Sequence, residues 1–338
     1  MRDYMGFKEY TLDEVCEFLI PKRNTLIIFH VRPDADAIGA SFALKLMLEA
    51  MGSNTRCVCE SEIPSRLAFL TEKHQKSARF DLLNRNFEFE RIITVDTASP
   101  SQLGTLQSLF ENRVDLMIDH HGNGTRYADY YVRPDQAASG EIVYDIGQRL
   151  VALGALEKIP SDANDLIFAA LTSDTGCFKY SNVSPKTHLC AAELIKAGVD
   201  AAEINHRLFD CKSEKMLAAE AAGFQRIKFF NNRKIAAVVF PYELKQELEL
   251  EDEHLETLVD VARAIDGVKI AISVRQSTAH RSFRISLRSS NSFDVSAIAK
   301  CFSGGGHAKA AACTIEADSI DFALKLVVDE ILKRWGKN

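Results

Sequence analysis

Residues 26–36 read Leu26-Ile27-Ile28-Phe29-His30-Val31-Arg32-Pro33-Asp34-Ala35-Asp36. The four apolar residues form a buried strand, and Arg32-Pro33-Asp34 a turn. A helix-period stretch follows from about 38 to 51 and stops at Gly52, as a helix ending on a glycine should. Strand, turn and helix in that order open a βαβ unit and hence a mainly parallel sheet. The pattern recurs: Ile92-Ile93-Thr94-Val95 and Leu116-Met117-Ile118 read as further buried strands, and 141–150 and 165–172 as helices. In open α/β sheets ligands collect beyond the carboxyl ends of the strands. His30, Asp96 and Asp119-His120-His121 all fall there.

Downstream the pattern changes. From about 186 to 228 the chain is Ala- and charge-rich with helical spacing and no strand signal, which reads as a connector. Strands at 235–240, 268–274 and 283–287 and helices near 294–302 and 319–335 then predict a smaller second α/β domain. The expected division is 1–200, a helical connector over 201–228, and 229–338. A length of 338 residues suits two domains at roughly 150 residues each.

Charge narrows the function. Forty-one Lys and Arg against 47 Asp and Glu give a net −6, unlike a protein that tracks long duplex nucleic acid. Apolar runs fall short of the roughly 18–20 residues that span a bilayer, so no membrane partner is expected. The N-terminus has acids early and no apolar core before a cleavage site, which predicts a cytoplasmic protein. Eight cysteines (16, 57, 59, 177, 190, 211, 301, 313) form no CxxC and read as buried or semi-buried thiols in a reducing compartment.

Four clusters carry the chemistry: His30 to Asp36, Val95-Asp96-Thr97, Asp119-His120-His121 and Thr172-Ser173-Asp174-Thr175-Gly176. Each alone is common as a satisfied polar loop. Their weight comes from several of them ending expected strands on one edge of one sheet. Pro33 is expected to keep the first cluster out of a helix, leaving His30, Asp34 and Asp36 on a strand end and its loop. Two imidazoles and four carboxylates with no thiolate nearby suit Mn²⁺ or a similar divalent ion better than a Cys-rich zinc site. Asp34, Asp36, Asp96 and Asp174 packed together would repel one another, and two dications would balance them. A bridging carboxylate holds two ions about 3.5–4 Å apart, as in-line phosphoryl chemistry requires.

The ordered set of four motifs, with Gly304-Gly305-Gly306-His307 near the C-terminus, resembles the DHH phosphoesterase superfamily in the branch that also carries a DHHA1 domain. The resemblance spans about 25–200 and 225–335. It implies an N-terminal DHH domain with a mainly parallel sheet, a helical connector and a smaller α/β DHHA1 domain. It implies two divalent ions, expected as Mn²⁺: His30, Asp34 and Asp96 on one, and Asp36, Asp96, His120 and Asp174 on the other, with Asp96 bridging. Asp119 would orient a ligand histidine, and His121 would face the substrate phosphate as hydrogen-bond donor or general acid. The implied activity is hydrolysis of short oligoribonucleotides to mononucleotides and of 3′-phosphoadenosine 5′-phosphate (pAp) to AMP. Partners would be short single-stranded RNA, with DNA fragments left open, and pAp. The oligomeric state is open, a homodimer among the choices. Rival readings are a cyclic di-AMP phosphodiesterase, a single-strand exonuclease and a catalytically dead nucleotide sensor.

The C-terminal domain is expected to grip the substrate across a cleft. Between Lys269 and Lys309 stand seven Lys or Arg and one acid, Asp294. Arg284 and Arg288 lie four apart on a predicted strand and therefore on one side. Gly304-Gly305-Gly306 is expected before a helix start, where bare amides approach an anion. The resemblance picks out Ser286, Arg288, Ser289 and His307 as nucleotide contacts. Phe302 and Tyr180 are candidates for base stacking, with core packing the plainer reading of each. The chain departs from the family pattern at Gln102, where an arginine is usual, at Ser303, and in the alanines after His307.

Overall fold

The computed structural model describes residues 6–80, 88–290 and 293–335. The chain divides into two compact units, Met1–Cys211 and Lys212–Asn338. The first unit is built on strands β1 (Thr25–Ile28), β2 (Thr55–Val58), β3 (Arg91–Val95), β4 (Leu116–Asp119) and β5 (Asp129–Val132). They pair in the order β2-β1-β3-β4-β5, every pairing parallel. The apolar runs of β1, β3 and β4 are buried throughout, as helices on both faces of a parallel sheet demand.

One expectation fails instructively. Pro33 does not keep the first cluster out of a helix, because Asp34 is itself the cap of helix Ala35–Ala50, its Oδ1 accepting the amides of Asp36 and Ala37 at 3.0 Å each. Pro33 lies before that cap, where a fixed φ and a missing N–H do not disturb the helix. Asp36 therefore sits in the first helical turn rather than on a loop, where the helix dipole favours a carboxylate.

Helix Ala35–Ala50 is buried along nearly its whole length and packs on helices Ser139–Ala152 and Ser161–Asp174. The approach to the last of these is very close. A Cβ on Gly39 would collide with the Leu166 carbonyl oxygen and lie 3.0 Å from the Ala170 Cβ, and one on Gly140 would lie 2.5 Å from the same Ala170 atom. These glycines bring three helix ends, and with them Asp36 and Asp174, into one region.

The second unit is a mixed sheet of β6 (Ile227–Phe230), β7 (Ile235–Phe240), β8 (Ile270–Gln276), β9 (Ser282–Ser289), β10 (Gly305–His307) and β11 (Ala310–Glu316), ordered β10-β11-β9-β8-β7-β6. Only β7 and β8 run parallel. Helices Ser296–Lys300 and Ile320–Arg334 cover one face, with Phe283, Ile285 and Leu287 beneath them. Helices Glu214–Phe224 and Leu258–Arg263 cover the other. The stretch 186–228 is broken into shorter helices and its last residues enter β6.

The glycine run is a strand, not the approach to a helix: Gly305, Gly306 and His307 pair antiparallel with Ala312, Ala311 and Ala310. A Cβ on Gly306, which holds φ +131°, would lie 2.5 Å from the Ala310 carbonyl oxygen, and one on Gly304 would strike the Ala312 carbonyl oxygen. Closeness of two backbones is what requires glycine here. Two cysteines also depart from the expected burial. Cys211 and Cys301 are exposed, because each caps the end of a short helical turn at the surface. Among the described residues no helix is long and apolar enough to cross a membrane.

Gly39→Ala is expected to lower the stability of the chelated protein by about 1–3 kcal/mol, read from urea unfolding, because backbone rather than a flexible side chain blocks the new methyl.

Candidate metal centre

Beyond the carboxyl ends of β1, β3 and β4 the first unit gathers acids and histidines from four segments. His30 follows β1, Asp96 follows β3, Asp119 ends β4 and His120 and His121 follow it. Asp174 is the last residue of helix Ser161–Asp174. Asp96 adopts φ +54°, a left-handed turn that L-residues take at a cost, so β3 bends sharply at this position.

Three sets of donors converge, each with its ligand atoms within 4.8 Å of one another: His30, Asp34 and Asp96; Asp36, His120 and Asp174; and Asp96, His120 and His121. His30 Nε2 stands 3.5 Å from Asp96 Oδ2 and 3.8 Å from Asp34 Oδ1. His120 Nε2 stands 3.7 Å from Asp36 Oδ2, 3.7 Å from Asp96 Oδ1 and 3.5 Å from Asp174 Oδ2. These separations exceed the usual 2.7–3.2 Å or so of an N–H···O bond. The opposite ring nitrogens lie near backbone carbonyls, His30 Nδ1 at 2.9 Å from Val31 O and His120 Nδ1 at 3.3 Å from Gln136 O. With Nδ1–H donating to those carbonyls, Nε2 of each ring carries the lone pair a cation needs.

His121 is held differently. Its Nδ1 donates to Asp119 Oδ1 at 2.7 Å, and its backbone amide donates to the same oxygen at 3.2 Å. Asp119 is wholly buried beneath it.

The charges follow this geometry. Burial, reinforced by the charges of Asp96, Asp174 and Asp34, pushes the Asp36 carboxyl well above the usual range. Burial raises Asp174 to about 7, with Asp34 and Asp96 adding to the rise and His120 opposing it. Asp96 goes the other way: burial disfavours its charge, yet the neighbouring His30 and the fields of His121 and His120 hold it far below the carboxylate range. Asp34 is lowered against its burial by His30. Burial disfavours charge on His30 too, but Asp34 and Asp96 raise it well above its usual value. Asp119 likewise overcomes burial and lifts His121 to about 9. Buried carboxylates that take up protons to relieve repulsion are the donor set a pair of dications would satisfy.

The second unit places its candidates along two strands. Arg284, Ser286 and Arg288 share the half-exposed face of β9. Ser289 does not join them: it is buried on the opposite face, its amide donating to Lys309 O at 2.9 Å. Arg288, Ala310 and His307 are register partners across β9, β11 and β10, so the Gly304–Gly305–Gly306 segment lies on the far side of β11 from Arg288. Tyr180 packs its ring against Gly176, and Phe302 packs against the second unit's core.

Residues 24–171 match the model of the DHH family N-terminal domain, and residues 232–333 match the DHHA1 domain. The chain belongs to the DHH–DHHA1 family. Among similar proteins is the bifunctional oligoribonuclease and PAP phosphatase NrnA of Thermus thermophilus, 28% identical over 307 residues, 90% of this chain and 88% of the relative. The protein of the same name from Bacillus subtilis is 25% identical over 304 residues, 88% and 92% of the two chains. In fold, the DHH–DHHA1 chain is like the crystal structure of an exopolyphosphatase-related protein from Bacteroides fragilis, with a TM-score of 0.85 at 21% identity, covering 96% of each. Membership makes it a phosphoesterase, a hydrolase of phosphoester bonds.

Some residues of the DHH domain that shape the site carry no motif. Ser139 N and Gly140 N donate to the two oxygens of Asp36 at 2.8 and 2.9 Å, and Ser139 Oγ donates to Asp96 Oδ1 at 2.9 Å. Asn182 Nδ2 donates to Ala137 O and Asp174 O at 3.0 and 3.1 Å. Buried Glu141 accepts the amide of Ala137 at 2.8 Å. Segment 136–140 thus touches or braces His120, Asp36, Asp96 and Asp174. The Ser139-Gly140 pair at the start of a predicted helix is the one local signal of it.

Ser139→Ala is expected to weaken divalent-metal binding about 10–100-fold by titration, with the fold intact by circular dichroism. pH supplies a second check. His121 is raised in the folded chain, so its contribution is complete below about 6.5 and is lost as pH rises through about 9. Asp174 acts in the same direction at lower pH, through about 7. The melting temperature of the chelated protein should therefore fall from pH 6.5 to 9, and His121→Gln should flatten that slope.

Proposed function

We propose that this chain hydrolyses short single-stranded oligoribonucleotides to mononucleotides and pAp to AMP. The observation that carries the reading is the convergence of His30, Asp34, Asp36, Asp96, His120 and Asp174, with Asp96 shared between two of the three donor sets. His30, Asp34 and Asp96 would hold one divalent ion and Asp36, Asp96, His120 and Asp174 the other, Mn²⁺ being the ion this donor set suits. Bound there, the ions would polarise the phosphoryl oxygens and acidify a water for in-line attack.

The chain's own residues do the rest. Ser139 and Gly140 aim the Asp36 and Asp96 oxygens, so the donors are arranged before substrate arrives. Asp119 fixes the His121 ring through Nδ1, leaving Nε2 to hold a proton and pass it to the departing oxygen. In the DHHA1 domain, Arg284, Arg288 and the segment Gly304, Gly305, Gly306 and His307 supply nucleotide contacts. A bidentate guanidinium and bare glycine amides suit phosphate oxygens. Ser289, turned into the core, supports the strand instead. The relatives' names support the substrate pair, and the net charge of −6 agrees with short rather than polymeric substrates. The free thiols suit a cytoplasmic setting.

A panel of pApA, pA₃, pA₅, a 30-mer, pAp and cyclic di-AMP with Mn²⁺, Mg²⁺ and chelator tests this. Turnover of the short oligomers and of pAp, lost with chelator, is the expected result. Preference for cyclic di-AMP or the 30-mer would replace the reading. Asp96→Ala should reduce both diesterase and monoesterase turnover by at least about 10³-fold, because both ions lose a ligand.

A further inference from the structure

Arg32 stands between His30 and Asp34 and is used by nothing described so far. Its backbone has φ +53°, a conformation arginine adopts only at a cost. The loop is pinned in that shape from two sides. Val31 N donates to Gln102 O at 2.8 Å, and Arg32 N donates to Ser61 Oγ at 3.0 Å. The side chain is exposed, and among the described residues no hydrogen bond or ion pair engages its guanidinium.

Other cations in the loops at this edge of the sheet are already engaged. Arg126 donates to Gly124 O and lies 5.1 Å over the Tyr130 ring; Arg133 pairs with Glu9 at 3.0 Å; Lys179 lies 5.8 Å over the Phe209 ring. Gln102 offers no cation, and its Oε1 turns inward to accept the amides of Ala98 at 2.6 Å and Ser99 at 3.3 Å. Two dications would balance the carboxylates of Asp34, Asp36, Asp96 and Asp174. A substrate with a second phosphate brings negative charge beyond that balance. Two hydrogen bonds hold the strained Arg32 backbone in the loop that carries His30 and Asp34.

We propose that Arg32 binds the phosphate next to the one being hydrolysed, so that it selects substrates with two phosphates. The inference rests on the phosphoesterase reading above. Its guanidinium would take that phosphate through two parallel N–H···O bonds.

The test compares KM for pApA with KM for ApA, which lacks the second phosphate, in the full Mn²⁺-loaded chain. Wild type is expected to favour pApA. Arg32→Gln should raise KM for pApA about 10–100-fold more than for ApA, the size of a lost charge-assisted pair. Arg32→Lys should recover part of the preference, since a point cation lacks the fork. Arg32→Gly should lose the preference while its melting temperature rises, because glycine relieves the positive φ. Equal KM changes on both substrates, no change, or a lower melting temperature in Arg32→Gly would each overturn the proposal. If wild type cleaves neither dinucleotide, the phosphoesterase reading itself fails. If it cleaves both equally well, only the role of Arg32 does.

Discussion

Repulsion between buried carboxylates is the constraint on which the first unit depends. Asp36 and Asp96 are almost wholly buried, and Asp36 and Asp174 place ligand oxygens within 4.8 Å. At that separation two unit charges repel by roughly 3–4 kcal/mol at an effective dielectric near 20. The chain does not avoid this cost; it is built around it. Amides of Ser139 and Gly140 bind Asp36, the Ser139 hydroxyl binds Asp96, and His30, His120 and His121 surround the same oxygens. Hydrogen bonds to a carboxylate favour its charged form, whereas neighbouring carboxylates oppose it. The result is a set in which Asp96 is held toward its charged form while Asp36 and Asp174 are shifted toward their protonated forms, protons that a cation would displace.

Holding such a set takes a rigid frame. A parallel sheet buried on both faces fixes the ends of β1, β3 and β4, and the close helix contact at Gly39 fixes the positions of Asp36 and Asp174 relative to it. Segment 136–140 then closes the ring, since its carbonyls and amides reach His120, Asp36 and, through Asn182, Asp174. Strain appears where this frame meets the site, at Asp96 and Arg32. The second unit uses backbone closeness for a different end. β10 approaches β11 with no side chains between them, which leaves the glycine run across β11 from Arg288.

Much of this was legible in the order of residues. β1, β3 and β4 could be read because short runs of mainly apolar residues between polar turns have few other uses. Candidates for the six proposed ligands were legible as well. His30, Asp96 and His120 follow strands with no packing role to explain them, whereas Asp34, Asp36 and Asp174 sit at helix ends and were picked out with the rest through the ordered set of four motifs. What escaped was decided by partners distant in sequence. β5 begins with Asp129 and Tyr130 and is a strand because β4 pairs with it. β10 and β11 are Gly- and Ala-rich, and local propensity reads neither as a strand. Asp34 as a cap shows the same limit, since the loop and cap readings differ only in which amides its Oδ1 receives.

The sequence by itself determined two α/β units, an acid-and-histidine set at one edge of a parallel sheet, and a basic, glycine-bearing stretch from 269 to 309 within the second unit. Periodicity and residue chemistry are local properties, so they survive reading in one dimension. Only the tertiary structure decided that Ser139, Gly140, Glu141 and Asn182 brace the ligands, that Ser289 faces away from Arg288, and that Arg32 alone among the cations described at that edge is left without a partner. Those outcomes depend on which atoms meet across the sheet and between helices, and no spacing along the chain encodes a meeting of that kind.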